Sequence, residues 1–135
     1  MADKKIAVEV VTPERSVLKR AVSSLVVPAS GGYLGVLYNH APLVTGLQAG
    51  VISMKDENAE KTMAISGGFM EVIENKATIM ADTAETTDEI DLQRAEQAKE
   101  RARERLKQKP EGLDVARAEF AMRRALARIE AVTKD

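Results

Sequence analysis

The residues best equipped for chemistry in this chain are arginines. If residues 88–107 and 113–132 form helices, their side chains fall about 100° apart. Asp91, Arg94, Arg101 and Arg105 then share one stripe of the first helix, and Arg117, Arg124 and Arg128 share one edge of the second. A planar guanidinium presents a fork of N–H donors that matches phosphate oxygens two at a time. Two such rows face to face repel unless an anion lies between them, and Asp91 offsets only part of that charge. A polyphosphate held at a helix seam is one reading. A solvated charged face laced by i,i+4 pairs is the other, and spacing alone favours it. Nucleic acid is disfavoured, because residues 88–135 interleave 11 acidic with 12 basic residues. His40 is the one histidine, in the turn Asn39-His40-Ala41-Pro42. No serine or carboxylate stands near it in a catalytic arrangement, so it reads as a turn or interface residue rather than a general base. With no cysteine and one histidine, neither a thiolate site nor a transition-metal centre is expected.

The elements that must position these arginines divide the chain in two. Before residue 87 the pattern is short β-branched runs broken by Gly, Pro, Asn and Asp. Ile6–Val11 reads as a strand, Ser16–Val27 as a strand region ended by Pro28, and Tyr33–Leu37 as another strand. Leu43–Leu47 and Gly50–Met54 read as two more. A polar loop over 55–61 follows. Thr62–Ile65 pairs with Phe69–Ile73 across Ser66-Gly67-Gly68, and Ala77–Ala81 comes last. The spacing predicts an antiparallel β-sandwich or barrel of about eight to ten strands. The Gly pairs at 31–32 and 67–68 read as tight turns, because no Gly-Lys-Ser/Thr and no helix follows them.

After residue 87 the chain turns helical. Thr86 or Thr87 is the expected N-cap, with Asp88, Glu89 and Asp91 complementing the helix dipole. Lys109-Pro110-Glu111-Gly112 breaks the pattern and favours an antiparallel hairpin of two helices, each about 30 Å long. Leu92, Ala95, Ala98, Ala102 and Leu106 form one apolar stripe; Ala118, Ala121, Met122, Ala125, Ile129 and Val132 form the other. Alanine seams bury little area, and burial yields about 25 cal/mol per Å². A hairpin closed on such a seam is marginal by itself and can open or repack. The expected architecture is α+β, a β-sandwich over 1–87 followed by a two-helix hairpin over 88–135.

Composition supports the division. An apolar fraction of 44% with 3% aromatics demands an aliphatic core. Seven of the eight glycines lie between 31 and 68, and charge density doubles in the second part. A net charge of −1 gives no global pull toward nucleic acid. No apolar run approaches the roughly 20 residues that span a bilayer, and Met1–Lys5 is followed by no secretory h-region. Direct membrane insertion is not expected.

Four stretches resemble one family. They are Leu34-Gly35-Val36-Leu37 with His40-Ala41-Pro42-Leu43; Ile65-Ser66-Gly67-Gly68-Phe69-Met70-Glu71-Val72; Ala81-Asp82-Thr83-Ala84-Glu85; and Ile90-Asp91-Leu92-Gln93-Arg94-Ala95. In that order, ahead of a helical hairpin, they resemble the epsilon subunits of bacterial F-type ATP synthases over nearly the whole chain. The resemblance implies a non-catalytic central-stalk subunit, peripheral on the cytoplasmic face of the cell membrane. Its implied partners are the gamma subunit, the c-ring and the alpha and beta subunits. It further implies a hairpin that inhibits ATP hydrolysis when extended and, in some members, binds ATP as a regulatory ligand when folded. The ligands implied by position are Glu85, Ile90, Asp91, Arg94, Ala95, Arg101, Arg124 and Arg128; of these, Arg94, Arg101, Arg124 and Arg128 also fall in the arginine rows. Arg117 and Arg123 are the implied inhibitory contacts, and Tyr33 and His40 the implied rotor interface. The chain departs from the family where Tyr33 replaces a frequent carboxylate and Tyr38-Asn39 replaces Pro-Gly. Outside the family, the competing expectation is a self-standing ATP-sensing helical adaptor.

Overall fold

The computed structural model describes residues 4–133. Met1, Ala2 and Asp3 of the N-terminal stretch, and Lys134 and Asp135 after the second helix, lie outside the described residues. The chain builds eight strands: β1 (Ile6–Val11), β2 (Ser16–Val22), β3 (Ser24–Ala29), β4 (Gly32–Leu37), β5 (Leu43–Asp56), β6 (Ala59–Ile73), β7 (Lys76–Ala81) and β8 (Ala84–Thr86). Two helices follow, α1 (Leu92–Gln108) and α2 (Val115–Thr133). The strand order is β2-β1-β7-β6-β5-β3-β4, with β8 paired to β6. All pairs are antiparallel except β1 with β7.

Alternation decides which residues fill the sandwich. Ile6, Val8, Val10, Leu25, Val27, Ile52, Met54, Met63, Ile65, Met70, Val72 and Ile79 point inward and join one aliphatic core. The intervening residues of β5 and β6 point outward. There Val51, Ser53, Thr62, Ala64 and Ser66 are buried too, although they lie outside that core. A second layer therefore covers this face.

Three strand expectations change. Leu43–Leu47 and Gly50–Met54 are halves of one 14-residue strand. Thr62–Ile65 and Phe69–Ile73 do not form a hairpin; they are parts of one 15-residue strand, and the loop over 55–61 shrinks to a turn at Glu57-Asn58. Gly67 and Gly68 take φ of +122° and +138° and bend β6 rather than reverse it. A Cβ on Gly68 would lie 2.1 Å from the Met80 carbonyl oxygen, so only glycine permits this approach of β7. The bend lets β6 pair with β8 on one side of it and β7 on the other. Ser16–Val27 is likewise two strands. β2 pairs with β1, whereas β3 crosses to pair with β4 and β5. Pro28 sits inside β3, where the ladder to β5 shifts between Val26 and Ala29, so its missing N–H is tolerated. Ser30-Gly31 is the expected tight turn, joining β3 to β4.

The junction to the helices also differs from expectation. Thr86 caps not α1 but a single 3-10 turn, Thr87–Glu89, through a reciprocal capping box. Glu89 Oε1 accepts from the Thr86 N–H at 3.0 Å, and Glu89 Oε2 pairs with the Arg15 guanidinium at 2.8 Å. Ile90 then takes an extended conformation (φ −88°, ψ 125°), which prevents the turn from running into a helix. Asp91 provides a fresh N-cap, accepting the Arg94 N–H at 3.1 Å. Lys109 in the left-handed region ends α1, and Asp114 accepts the Arg117 N–H at 3.1 Å as α2 begins.

α2 is the inner helix, contacting α1 on one side and β5 and β6 on the other. Ala118 and Ala125 are buried, as the seam requires. Ala127 and Ala131, outside the expected apolar face, are buried against Val51 and Ala64, with Ile90 packed at the margin. Small residues on both surfaces let helix and sheet approach closely and bury little apolar area. Thr62 Oγ1 donates to the Ala131 carbonyl at 2.8 Å within this contact. Thr62→Val keeps the side chain's shape but removes the donor, and should weaken docking by about 1 kcal/mol. Amide exchange should then accelerate in α1 and α2 while β1 and β7 stay protected.

The Asp88 and Glu89 carboxylates of the junction titrate below their usual range. Hydrogen bonds from the Thr86 N–H and hydroxyl, followed by Arg15, hold the Glu89 carboxyl below its usual range. Asp88 shares the Thr86 hydroxyl proton with Glu89, at 2.6 Å and 2.9 Å, and shifts the same way. A depressed carboxylate stabilises the fold above its unfolded value, about 4.3 for Glu, and that contribution fades as pH falls through the lower folded value. Proteolytic nicking of the junction should rise below about pH 4, and Glu89→Gln should flatten this rise.

Candidate functional site: an arginine-lined seam

The seam between α1 and α2 contains two adjoining cavities. The first encloses about 390 Å³ beside the junction and is lined by Glu85, Glu89, Asp91, Arg94, Ala95, Ala98, Arg101 and Arg128. The second encloses about 570 Å³ nearer the bend, and Arg101, Arg105, Arg117, Arg124 and Arg128 line it among alanines. Ala98, Arg101 and Arg128 belong to both. Closing the hairpin therefore brings the two arginine rows to one seam, which helical spacing alone left open.

Each group reaches the first cavity by a distinct local device. Glu85 comes from β8, whose pairing with β6 (Ala64↔Glu85) carries it to the sheet edge beneath α2. Asp91 is held at the mouth by its capping bond. Arg94 and Arg101 project from α1 two turns apart, and the small side chains of Ala95 and Ala98 leave the space between them open. Arg128 crosses from α2 to Glu85, Nε to Oε1, at 2.5 Å, with both side chains about one-third exposed. It is the one seam arginine with an ion pair among the described residues; Arg94, Arg101, Arg105, Arg117 and Arg124 have none. Arg124 instead stacks over the Phe120 ring, 5.7 Å from its centroid. Unpaired guanidinium groups brought to one seam are chemically suited to hold an anion. The carboxylates of Glu85, Glu89 and Asp91 at one end add hydrogen-bond acceptors to the same cavity.

The remaining expected residues fall elsewhere. Ile90 lines neither cavity; it packs with Val51, Ala64, Ala127 and Ala131 and so anchors the junction. Arg124 lines the second cavity and a small crevice with Glu85 and Arg128, but not the first cavity. Arg117 lines the second cavity, and Arg123 is exposed. Tyr33 lies on β4 opposite Pro28, 56% exposed, and its hydroxyl accepts the Val51 N–H at 3.4 Å. His40 sits in the β4–β5 turn, its Nδ1 2.7 Å from the Ala41 carbonyl. Glu89 is a cavity residue that sequence reasoning placed only in the helix dipole. The Thr86-x-x-Glu89 capping-box spacing was the available signal. Among the described residues there is no group of three or more His, Cys, Asp or Glu able to hold a metal ion, and no helix is long and apolar enough to cross a membrane.

Comparisons with known proteins agree with this architecture. The family model "ATP synthase, Delta/Epsilon chain, beta-sandwich domain" matches residues 5–87, and "ATP synthase, Delta/Epsilon chain, long alpha-helix domain" matches 88–133. The ATP synthase epsilon chain of Moorella thermoacetica is 54% identical over 124 residues, covering 91% of this chain and 92% of the relative. That of Syntrophomonas wolfei is 47% identical over 135 residues, covering 99% and 98%. A chain in the cryo-EM structure of the Euglena gracilis mitochondrial ATP synthase OSCP/F1/c-ring superposes with a TM-score of 0.82 at 25% identity, covering 96% of this chain and 81% of that one. The sandwich, the hairpin packed on it and this agreement along both halves lead to one conclusion: the chain belongs to the ATP synthase delta/epsilon chain family.

Proposed function

We propose that this chain is a non-catalytic central-stalk subunit of an F-type ATP synthase, and that its hairpin is a two-state regulator which binds ATP when folded. The family membership supports the first part, together with a structural neighbour that comes from an F1/c-ring assembly. In this reading the sandwich meets the gamma subunit and the c-ring, with Tyr33 and His40 at that interface. The subunit is peripheral, on the cytoplasmic face of the cell membrane. The extended hairpin meets the alpha and beta subunits through exposed Arg117 and Arg123 and inhibits hydrolysis.

One observation carries the ATP reading. Glu85, Asp91, Arg94, Ala95, Arg101 and Arg128 line a single cavity, and Arg124 stands at its continuation. The volume and the arginine-rich walls fit a nucleotide triphosphate. Arg94, Arg101, Arg124 and Arg128 would hold the phosphates, and Glu85 and Asp91 would accept from the nucleoside. Only the closed hairpin brings α1 and α2 ligands together, so ATP favours closure by its differential affinity. At 100 times its Kd a ligand adds about 2.7 kcal/mol to the state that binds it. That exceeds the roughly 1 kcal/mol of one docking hydrogen bond, so nucleotide can decide the state of a hairpin held by alanine contacts.

Calorimetric titration of the isolated chain tests the site. Asp91→Ala with Arg94→Ala should weaken ATP binding by about tenfold or more, the loss of at least one charge-assisted contact; an unchanged affinity overturns the assignment. Asp91→Asn, which keeps a capping oxygen, separates loss of charge from loss of the helix start. Truncation after Thr87 should leave a folded sandwich and raise hydrolysis by the assembled synthase several-fold, on the order of 1 kcal/mol of relieved inhibition. No rise would argue against inhibition by the hairpin.

A further inference from the structure

The larger seam cavity extends beyond the proposed nucleotide residues. Arg105 from α1 and Arg117 from α2 both line it, with Ala98, Ala102, Ala118 and Ala121. Arg105 lies one turn beyond Arg101 and Arg117 two turns before Arg124, about 6 Å and 10 Å along their helices. This end therefore lies past the nucleotide residues yet is continuous with them through Arg101 and Arg128. Its charge differs from that of the first cavity. Three carboxylates, Glu85, Glu89 and Asp91, line the first. Asp114 alone lines the second, and its Oδ1 is taken by the Arg117 N–H. Neither Arg105 nor Arg117 forms an ion pair among the described residues, although both side chains are exposed and glutamates are plentiful on α1. Five guanidinium groups line this cavity against one carboxylate, and of these Arg101, Arg105 and Arg117 have no ion pair among the described residues, so it favours an oxoanion over a nucleoside.

We propose that Arg105 and Arg117 form a second phosphate subsite at the bend of the hairpin, which takes a phosphate group beyond the triphosphate. The proposal rests on the nucleotide reading of the first cavity. The phosphate group has two chemical sources: a separate inorganic oxoanion bound beside the nucleotide, or the end of a longer chain such as a nucleoside tetraphosphate. In either case the group bridges α1 to α2 at the bend and adds to the closure that ATP produces at the junction.

The test titrates the full chain and its Arg105→Ala/Arg117→Ala variant with ATP, adenosine tetraphosphate, inorganic tripolyphosphate, and ATP in excess inorganic phosphate. Both substituted residues are exposed, and a matching melting curve checks that the variant folds. Adenosine tetraphosphate should bind the parent about tenfold tighter than ATP, as one added charge-assisted contact predicts, and the variant should lose that preference. A phosphate-dependent tightening of ATP in the parent, absent from the variant, supports the subsite with a separate oxoanion as occupant. The proposal is overturned if the parent shows neither effect, or if the variant keeps them. Failure of the parent to bind ATP would count against the nucleotide reading instead. In that case tripolyphosphate binding lost in the variant still supports the subsite, and equal binding to both chains overturns it.

Discussion

Much of this structure depends on a shallow contact between small residues. α2 lies on the outer face of β5 and β6, with Ala127 and Ala131 against Val51 and Ala64. One buried hydrogen bond, Thr62 to the Ala131 carbonyl, and one ion pair, Glu85 to Arg128, fix its direction. With that face committed to the sheet, Ala118 and Ala125 turn toward α1, and Arg124 and Arg128 fall at the seam. Larger side chains here would hold α2 farther from the sheet, and the seam cavities depend instead on Ala95, Ala98, Ala102, Ala118 and Ala121. The sandwich has the opposite character: its core is mostly Ile, Val, Leu and Met and contains no residue of the hairpin.

Charge supplies the second constraint. Folding the hairpin gathers Arg94, Arg101, Arg105, Arg117, Arg124 and Arg128 along two cavities, with Glu85 neutralising Arg128 alone. This concentration of like charge is a cost of the closed arrangement, and under the proposed function it is also what attracts the anion. In that proposal a ligand that neutralises the charge favours the closed state, so the cost without it and the affinity with it have the same origin.

The junction shows one short segment performing several tasks. Within Ile90–Ala95, Ile90 anchors against the sheet, Asp91 starts α1, Arg94 lines the cavity, and Ala95 packs the seam while bordering the cavity. Thr86, Glu89 and Arg15 hold the preceding turn to the sandwich. These residues thus build the start of α1 as well as one wall of the cavity.

Periodicity by itself determined the class of each half. Alternating β-branched runs make strands, 3.6-residue periodicity makes helices, and Pro110 and Gly112 break them, because these patterns act locally on the backbone. The sequence also placed arginines on common helical edges, since spacing is a property of one helix. Pairing was not legible. Gly67-Gly68 has the composition of a turn, yet it bends a continuous strand, because the identity of its partners depends on β7 and β8. The start of α1 moved from Thr86 to Asp91 because Ile90 has a burial site only once the sheet exists. Ala127 and Ala131 lie between Leu126, Arg128 and Glu130, and nothing local marks them as buried. Only the tertiary structure decided that α2 has two packed faces, that Glu85 meets Arg128, and that the two arginine rows share one seam. Each of these is a contact between residues far apart in the chain, and no local preference encodes it.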